Sequence, residues 1–206
     1  MRVTGGAVRG RIIKVPKGFA VRPTPDMMRQ AMFNSLGASV CGTRVLELFA
    51  GSGALSLECM SRGAVSSTCV EKSRYHATIL RSNWESCGFK RQSLALRVQD
   101  AYAALGQLAA LGEQFDLVLA DPPYGEKNQD VRSQSFAQKL LDTPSLKQLL
   151  SQDGTFILGH PCRETLTVEL PWKEVKKLRH GDNVMRFFKL LDEEKKSDEE
   201  DGTAIE

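Results

Sequence analysis

Four acidic residues stand at the ends of successive apolar segments of strand length, and this spacing suggests a shared site. They are Glu47, Glu71, Asp100 and Asp121. Open α/β sheets bind ligands at the carboxyl ends of their strands, so side chains that follow neighbouring strands meet there. Carboxylates accept hydrogen bonds, and a group of them suits a ligand that presents hydroxyl and amino groups.

The segment 115–125, which reads FDLVLADPPYG, is the most distinctive part of this predicted site. Its strand must stop at Asp121, because neither Pro122 nor Pro123 can donate a hydrogen bond to a neighbouring strand. Proline also restricts the residue before it, so Asp121, Pro122, Pro123 and Tyr124 form a stiff turn. An acid, fixed carbonyl groups and an aromatic face suit a flat group with an amino substituent, such as a nucleobase. Alone, the segment is equally compatible with a plain strand-to-loop turn.

A glycine-containing turn follows the first of these strands. It reads Phe49-Ala50-Gly51-Ser52-Gly53. Its two glycines would let the backbone approach a ligand closely. A dinucleotide-binding fingerprint does not match, because Ser56 stands near the place of its third glycine, and no Gly-Lys-Ser/Thr is present for a P-loop. The turn therefore predicts a ligand that needs no pyrophosphate cradle.

Glu71 and Asp100 indicate what that ligand contains. A carboxylate at the end of the second strand, as at Glu71, can accept hydrogen bonds from both hydroxyl groups of a ribose. Asp100, just past the third strand, can accept one from an adenine amino group. Plainer alternatives are a solvated pair between Glu71 and Lys72 and a helix cap at Asp100. Together, four acids at four strand ends favour binding of an adenosine-containing ligand.

The elements that position these residues alternate between strand and helix. Strands are predicted at 45–49, 67–71, 94–98, from 115 and at 155–159, with helices ending near 62, 87 and 111 and a helical region from about 131 to 151. This alternation predicts an α/β fold with a mostly parallel sheet. Segments 166–170, 175–178 and 184–190 lack intervening helices, which predicts an antiparallel edge.

Three regions differ in charge and composition. We expect residues 1–37 to form a basic extension with a β-hairpin and a helix that Asp26 caps, residues 38–191 to form the main domain and residues 192–206 to be a disordered acidic tail. The whole chain has a net charge of +3, but the tail contributes −6. The first thirty residues contain seven basic residues and a single acid. A phosphate-rich partner is the natural inference, and a solvated basic face is the alternative.

Other classes of protein are disfavoured. No apolar run approaches the length of a membrane span and no signal-peptide core is visible, so we expect a cytoplasmic protein. The five cysteines are scattered without metal-ligand spacing, so we expect no disulfide framework and no metal site. We also expect a monomer.

An adenosine-containing ligand beside a turn for an amino-bearing base points to S-adenosylmethionine and to methylation of an exocyclic nitrogen. The turn from Asp121 to Tyr124 resembles the Asp/Asn/Ser-Pro-Pro-Tyr/Phe/Trp motif of amino-methyltransferases, and the turn from Phe49 to Gly53 resembles their cofactor loop. The N-terminal region is similar to the RsmD family, which methylates guanine N2 in small-subunit (16S) ribosomal RNA. The residues that support this similarity are Gly5-Gly6, Arg9-Gly10-Arg11, Arg22-Pro23-Thr24, Arg29 and Phe33-Asn34.

The resemblance implies a seven-stranded, mostly parallel Rossmann-like methyltransferase sheet with an antiparallel last hairpin. It implies that the catalytic residues are Asp121, Pro122, Pro123 and Tyr124. It implies that the residues that bind S-adenosylmethionine, and its product S-adenosylhomocysteine, are Arg22, Thr24, Glu47, Phe49, Ala50, Gly51, Ser52, Gly53, Glu71, Lys72, Asp100, Ala101 and Asp121. The implied partner is small-subunit ribosomal RNA, either naked or within an assembling particle.

Two other functions are compatible with these motifs. The first is an N6-adenine DNA methyltransferase, because the catalytic turn recognises an amino group and scarcely distinguishes the ring that bears it. A hairpin of about 20 residues is short for sequence-specific reading of duplex DNA, which favours RNA. The second is a binding protein that keeps the fold without activity, and the intact acids and glycines disfavour it.

Overall fold

Strands and helices alternate through the computed structural model, which describes residues 1–16, 24–123 and 134–191. The strands are β1 (Arg44–Leu48), β2 (Ser66–Val70), β3 (Leu94–Arg97), β4 (Phe115–Ala120), β5 (Leu150–Pro161), β6 (Trp172–His180) and β7 (Asn183–Leu190). The helices are α1 (Asp26–Leu36), α2 (Ala54–Ser61), α3 (Arg74–Ser86), α4 (Ala101–Ala110), α5 (Phe136–Asp142) and α6 (Pro144–Gln148). None of these helices has the length and apolarity needed to cross a membrane.

All seven strands form one sheet in the order β3-β2-β1-β4-β5-β7-β6. Strands β1 to β5 run parallel to one another, and β7 runs antiparallel to both β5 and β6. Parallel neighbours need a crossover connection, which the helices between β1 and β5 supply, whereas β6 and β7 need only a tight turn. The predicted seven-stranded, mostly parallel sheet with an antiparallel last hairpin is confirmed.

The central strands are buried on both faces, as expected for a sheet covered by helices. Successive residues point to opposite sides, so Leu46 and Val118 belong to one apolar core and Val45 and Leu117 to another. The first core includes residues of α4, α5 and α6, and the second includes residues of α1 and α2. The sheet thus lies between two layers of helices, which cover its faces and not the ends of its strands.

One predicted element between β4 and β6 was wrong. The helical region expected from about 131 to 151 contains two short helices, α5 and α6, and β5 already begins at Leu150. The strand expected at 166–170 is absent from the structure. Instead, the Gln138 side chain accepts a hydrogen bond from Thr167 N at 2.8 Å and donates one to Thr167 O at 2.9 Å. A side chain therefore satisfies backbone groups that a neighbouring strand would otherwise pair.

The N-terminal segment forms a shorter hairpin than the sequence predicts. One antiparallel bridge joins Arg2 to Ile12, and Val3 N donates to Arg11 O at 2.9 Å. Val3 and Ile13 are nearly inaccessible to solvent and pack in one cluster with Trp84 of α3. The hairpin is thus packed against the main domain.

Asn83 of α3 fixes the end of this hairpin. Its side chain accepts a hydrogen bond from Lys14 N at 2.9 Å, and it donates to Lys14 O at 2.8 Å and to Ser52 O at 3.0 Å. Asn83 is itself buried. One amide therefore ties the extension and the glycine-containing turn to the same helix.

We expect Asn83→Ala to lower the free energy of unfolding by about 2 kcal/mol, because the backbone groups of Lys14 and Ser52 lose partners that water cannot fully replace. Urea unfolding would measure this change. Ser82→Ala is a matched control on the same helix, since Ser82 only accepts one exposed hydrogen bond from the Lys14 ammonium group at 3.4 Å. Equal stability of the two variants would contradict the role of Asn83.

Candidate active site

The carboxyl ends of five strands lie at one level of the sheet. Leu48 of β1 pairs with Val70 of β2 and with Ala120 of β4, and Val70 pairs in turn with Arg97 of β3. Ala120 pairs with Leu158 of β5. The residues that follow these positions therefore emerge side by side at one edge. They are Phe49, Glu71, Val98, Asp121 and Gly159.

The turn from Phe49 to Gly53 has an unusual backbone. Phe49 has φ 56°, which is uncommon for a residue with a side chain, and Gly53 has φ 76°. A methyl group at Gly53 would also approach Leu80 Cγ to 2.7 Å, so both backbone angle and space require glycine. At Gly51 a methyl group would meet nothing nearer than Phe49 O at 4.0 Å. The turn is thus packed on one side and open at Gly51.

Glu47 lies beneath this turn and not within it. The side chain is buried, and its Oε2 accepts a hydrogen bond from Ser56 N at 3.0 Å. Burial raises the pKa of Glu47 to about 7, and the hydrogen bonds from Ser56 oppose that shift. Glu47 therefore holds the first turn of α2 against β1, and its predicted contact with a ligand stays a prediction.

Glu71 accepts a hydrogen bond from the turn that follows β1, and it lies at the carboxyl end of β2. Oε2 accepts a hydrogen bond from Gly51 N at 2.8 Å, and Oε1 accepts one from Ser73 N at 2.7 Å. Each carboxylate oxygen has two acceptor sites, so each can still accept one from a ligand. His76 Nδ1 lies 3.5 Å from Oε1.

Asp100 performs the capping role that the sequence left open. Its Oδ1 accepts a hydrogen bond from Tyr102 N at 3.0 Å at the start of α4. Its Oδ2 lies 3.7 Å from Lys72 Nζ, so Lys72 pairs with Asp100 and not with Glu71. The Asp100 side chain is partly exposed, and Ala101 next to it is buried. Capping and acceptance of a ligand amino group are thus compatible at Asp100.

Asp121 follows β4 and is partly buried. The Thr24 hydroxyl donates a short hydrogen bond to its Oδ2. Burial raises the pKa of Asp121 from an ordinary 3.8 to about 6, and the Thr24 hydrogen bond counteracts that rise. Pro122 is buried and Pro123 is exposed. Tyr124 and Arg22, which the sequence also assigned to the site, lie outside the described residues.

Sequence reasoning missed Gly159 on the neighbouring strand β5. A methyl group at this position would collide with Asp121 Oδ1 and would lie 3.0 Å from its Cγ. Glycine thus leaves the space that the carboxylate occupies. The position of Gly159 at the end of a predicted strand was the available signal.

An aromatic cluster beside the glycine-containing turn was also missed. The ring of Phe49 meets those of Tyr102 and Phe136 at centroid distances of 6.1 and 5.8 Å, both edge-to-face. The Tyr102 hydroxyl donates to Phe136 O at 2.8 Å. The cluster anchors the start of α5 against the turn, which holds Phe49 in its strained conformation.

The polar groups at this edge of the sheet fit an adenosine-containing ligand. The backbone is open at Gly51, and acceptor oxygens lie at Glu71 and at Asp100. Asp121 stands one strand away on the other side of β1. An adenosine-containing methyl donor and a target group that bears an amino nitrogen would therefore meet at the ends of β1 and β4.

The chain is similar in sequence to one protein family and to proteins named as rRNA methyltransferases. The family model described as conserved hypothetical protein 95 matches residues 1–189. "Putative rRNA methyltransferase YlbH" of Bacillus subtilis is 34% identical over 171 residues, which cover 83% of this chain and 86% of the relative. Ribosomal RNA small subunit methyltransferase D of Escherichia coli is 36% identical over 124 residues, and the match spans only 60% of each chain.

Solved structures share the fold over most of the chain. A hypothetical protein from Thermus thermophilus superimposes with a TM-score of 0.76 at 26% identity, covering 92% of this chain and 99% of the other. The structure of yhhF from Escherichia coli gives a TM-score of 0.76 at 24% identity, covering 92% and 97%. Because the family model extends over nearly the whole chain, the protein belongs to the conserved hypothetical protein 95 family, the RsmD-type methyltransferases.

Proposed function

We propose that this methyltransferase transfers a methyl group from S-adenosylmethionine to the exocyclic N2 amino group of a guanine in 16S ribosomal RNA. The observation that supports this most directly is the partly buried Asp121 carboxylate before a double proline, beside the open turn that follows β1. The names of the curated relatives, which describe rRNA methyltransferases, support the choice of RNA. Methylation of adenine N6 in DNA is the alternative.

Residues at the ends of β1, β2 and β3 would hold the cofactor. The open backbone at Gly51 would accommodate its methionine part, Glu71 would accept hydrogen bonds from the ribose and Asp100 from the adenine amino group. When bound, S-adenosylmethionine supplies an electrophilic methyl group on a positively charged sulfur. Thr24, whose hydroxyl group donates to Asp121, and Arg22 are further proposed contacts.

Asp121 and the Pro122 carbonyl would orient the target amino group. The lone pair of an exocyclic amine is delocalised into the ring, so the nitrogen is a poor nucleophile. Acceptors that favour a tetrahedral nitrogen localise this lone pair and direct it towards the methyl donor. The proton becomes acidic only after attack, so Asp121 needs to be ionised but not strongly basic. With a pKa of about 6, it is largely ionised at neutral pH.

The basic extension would bind the RNA backbone. Arg2, Arg9, Arg11 and Lys14 are exposed on the N-terminal hairpin, close in sequence to Thr24. Arg29 was counted in the same basic run, but its side chain is fully buried and cannot contact RNA. The target base must leave its stack to reach Asp121, and stacking on Tyr124 would offset part of that cost. An RNA substrate of this kind implies a cytoplasmic enzyme, which we propose acts as a monomer.

The proposal is tested by incubating the protein and labelled S-adenosylmethionine with unmodified small ribosomal subunits, their extracted RNA and duplex DNA. We expect N2-methylguanosine from one of the ribosomal substrates. Labelling of the subunits but not of the naked RNA would identify an assembled particle as the substrate. N6-methyladenine in the DNA would favour the alternative, and the absence of label from all three substrates would contradict methyl transfer to nucleic acid.

We expect Asp121→Asn to lower kcat about a thousandfold, because the charged acceptor is lost at the transition state. Affinity for S-adenosylhomocysteine, measured by calorimetry, should change by no more than a few-fold. Asp116→Asn is the control at the opposite end of the same strand, where the carboxylate accepts a hydrogen bond from Arg44 N at 2.8 Å. Loss of cofactor binding in Asp121→Asn would contradict a role on the target base.

Replacing Arg9 and Arg11 with alanine should weaken RNA binding and reduce its salt dependence, with the slope falling by about one for each phosphate group that the protein no longer neutralises. Binding measured at several salt concentrations gives this slope. Arg44→Ala serves as the control, because Arg44 is exposed at the amino end of β1 and pairs with Glu113. An unchanged slope in the double variant would place the RNA elsewhere.

A further inference from the structure

The Arg29 side chain is buried and links the N-terminal hairpin, α1 and α2. It lies near the start of α1 with no exposed surface. Its guanidinium group pairs with Asp26 at 2.9 Å and lies 3.7 Å from Glu58 of α2. It also donates to Arg2 O at 2.5 Å. The predicted helix cap at Asp26 was wrong, since the carboxylate forms no cap hydrogen bond and pairs with Arg29.

One further contact connects Arg29 to the catalytic turn. Arg29 Nη1 donates to Thr24 O at 3.0 Å in a buried setting. The hydroxyl group of the same Thr24 donates to Asp121 Oδ2. Arg29 thus holds the backbone of the residue whose side chain holds the catalytic carboxylate.

We propose that Arg29 is a positioning residue that acts on Asp121 through Thr24, so that docking of the N-terminal extension sets the orientation and ionisation of the catalytic carboxylate. This inference rests on the proposed function of Asp121. Gly159 leaves space for the carboxylate and has no side chain to orient it, so Thr24 is the polar partner that fixes its orientation among the described residues. If Arg29 releases Thr24, the carboxylate loses that hydrogen bond.

Loss of the Thr24 hydrogen bond changes the pKa of Asp121 in a defined direction. The Thr24 hydrogen bond favours the charged form, so its removal raises the pKa of Asp121 further, by about one unit for a hydrogen bond to a charged group. Of the titratable groups on the adjoining strands, His160 of β5 has a pKa that burial lowers from its ordinary value. Glu47 of β1 titrates with a pKa of about 7. The shift between variants, and not the wild-type profile alone, is therefore the informative quantity.

Arg62 offers a matched control. It shares Glu58 with Arg29, at 3.4 Å, and contacts the hairpin through Thr4 Oγ1 at 3.3 Å. The described structure gives it no hydrogen bond to Thr24. Arg29→Lys and Arg62→Lys both keep a positive charge beside Glu58, which protects folding, and only Arg29→Lys breaks the connection to Asp121.

The experiment compares wild type, Arg29→Lys, Arg62→Lys, Thr24→Val and Thr24→Ser. The carboxyl titration of Asp121 by ¹³C NMR is measured in each, together with kcat against pH and affinity for S-adenosylhomocysteine. We expect Thr24→Val and Arg29→Lys to raise the Asp121 pKa by about one unit and to lower kcat about tenfold at neutral pH. Thr24→Ser should recover most of that loss, and Arg62→Lys should keep the wild-type pKa and kcat.

Other outcomes would overturn the inference. If Arg29→Lys and Arg62→Lys shift neither the Asp121 pKa nor the kcat profile, or shift both equally, Arg29 only stabilises the fold. If Thr24→Val loses cofactor affinity with an unchanged Asp121 pKa, Thr24 serves the cofactor and not the carboxylate. The NMR titration needs no substrate, so an inactive wild type would refute the proposed function without deciding the role of Arg29.

Discussion

The parallel register of β1, β2, β3, β4 and β5 is the constraint on which the site depends. Leu48, Val70 and Ala120 pair directly, so the turn after β1, Glu71 and Asp121 emerge at one level. A slip of one residue in β4 would turn Asp121 to the opposite face and exchange the two apolar cores. The burial of Leu117 and Val118 in different cores makes such a slip costly. Hydrophobic packing thus fixes how the turn after β1, Glu71 and Asp121 lie relative to one another.

A second constraint comes from buried charge between the hairpin and the domain. Glu58 has no exposed side-chain surface, and it accepts a hydrogen bond from Thr4 N at 2.6 Å besides facing Arg29 and Arg62. Removing charges from water is unfavourable unless each finds partners of good geometry. The hairpin supplies some of these partners, so its separation from α2 would leave Glu58 incompletely paired. The N-terminal extension and the catalytic domain are therefore coupled energetically.

The features of the fold that could be predicted from the sequence are those that short, local residue patterns determine. Alternating strands and helices, the double proline after Asp121 and the glycines after β1 each act within a few residues, and they located the sheet and its edge. Arg29 shows where this fails, because its burial depends on Glu58 and on Arg2, which are distant in sequence. The segment 166–170 has a strand-like pattern, but Gln138 bonds its backbone from a helix. Gly159 matters only because β5 lies beside Asp121.

Asp121 faces two opposing requirements. In the proposed role, exclusion of water would strengthen the hydrogen bond that Asp121 accepts from a target amino group, but the same burial favours the neutral carboxylic acid, which accepts hydrogen bonds less strongly. The hydroxyl group of Thr24 offsets part of this effect and leaves the pKa of Asp121 at about 6. The proposed amino methylation would tolerate this compromise, because the hydrogen-bond acceptor must orient a lone pair and needs to receive a proton only after the nitrogen has become positively charged. A carboxylate that is partly shielded from water and oriented by Thr24 would therefore suit the proposed reaction better than a fully solvated one.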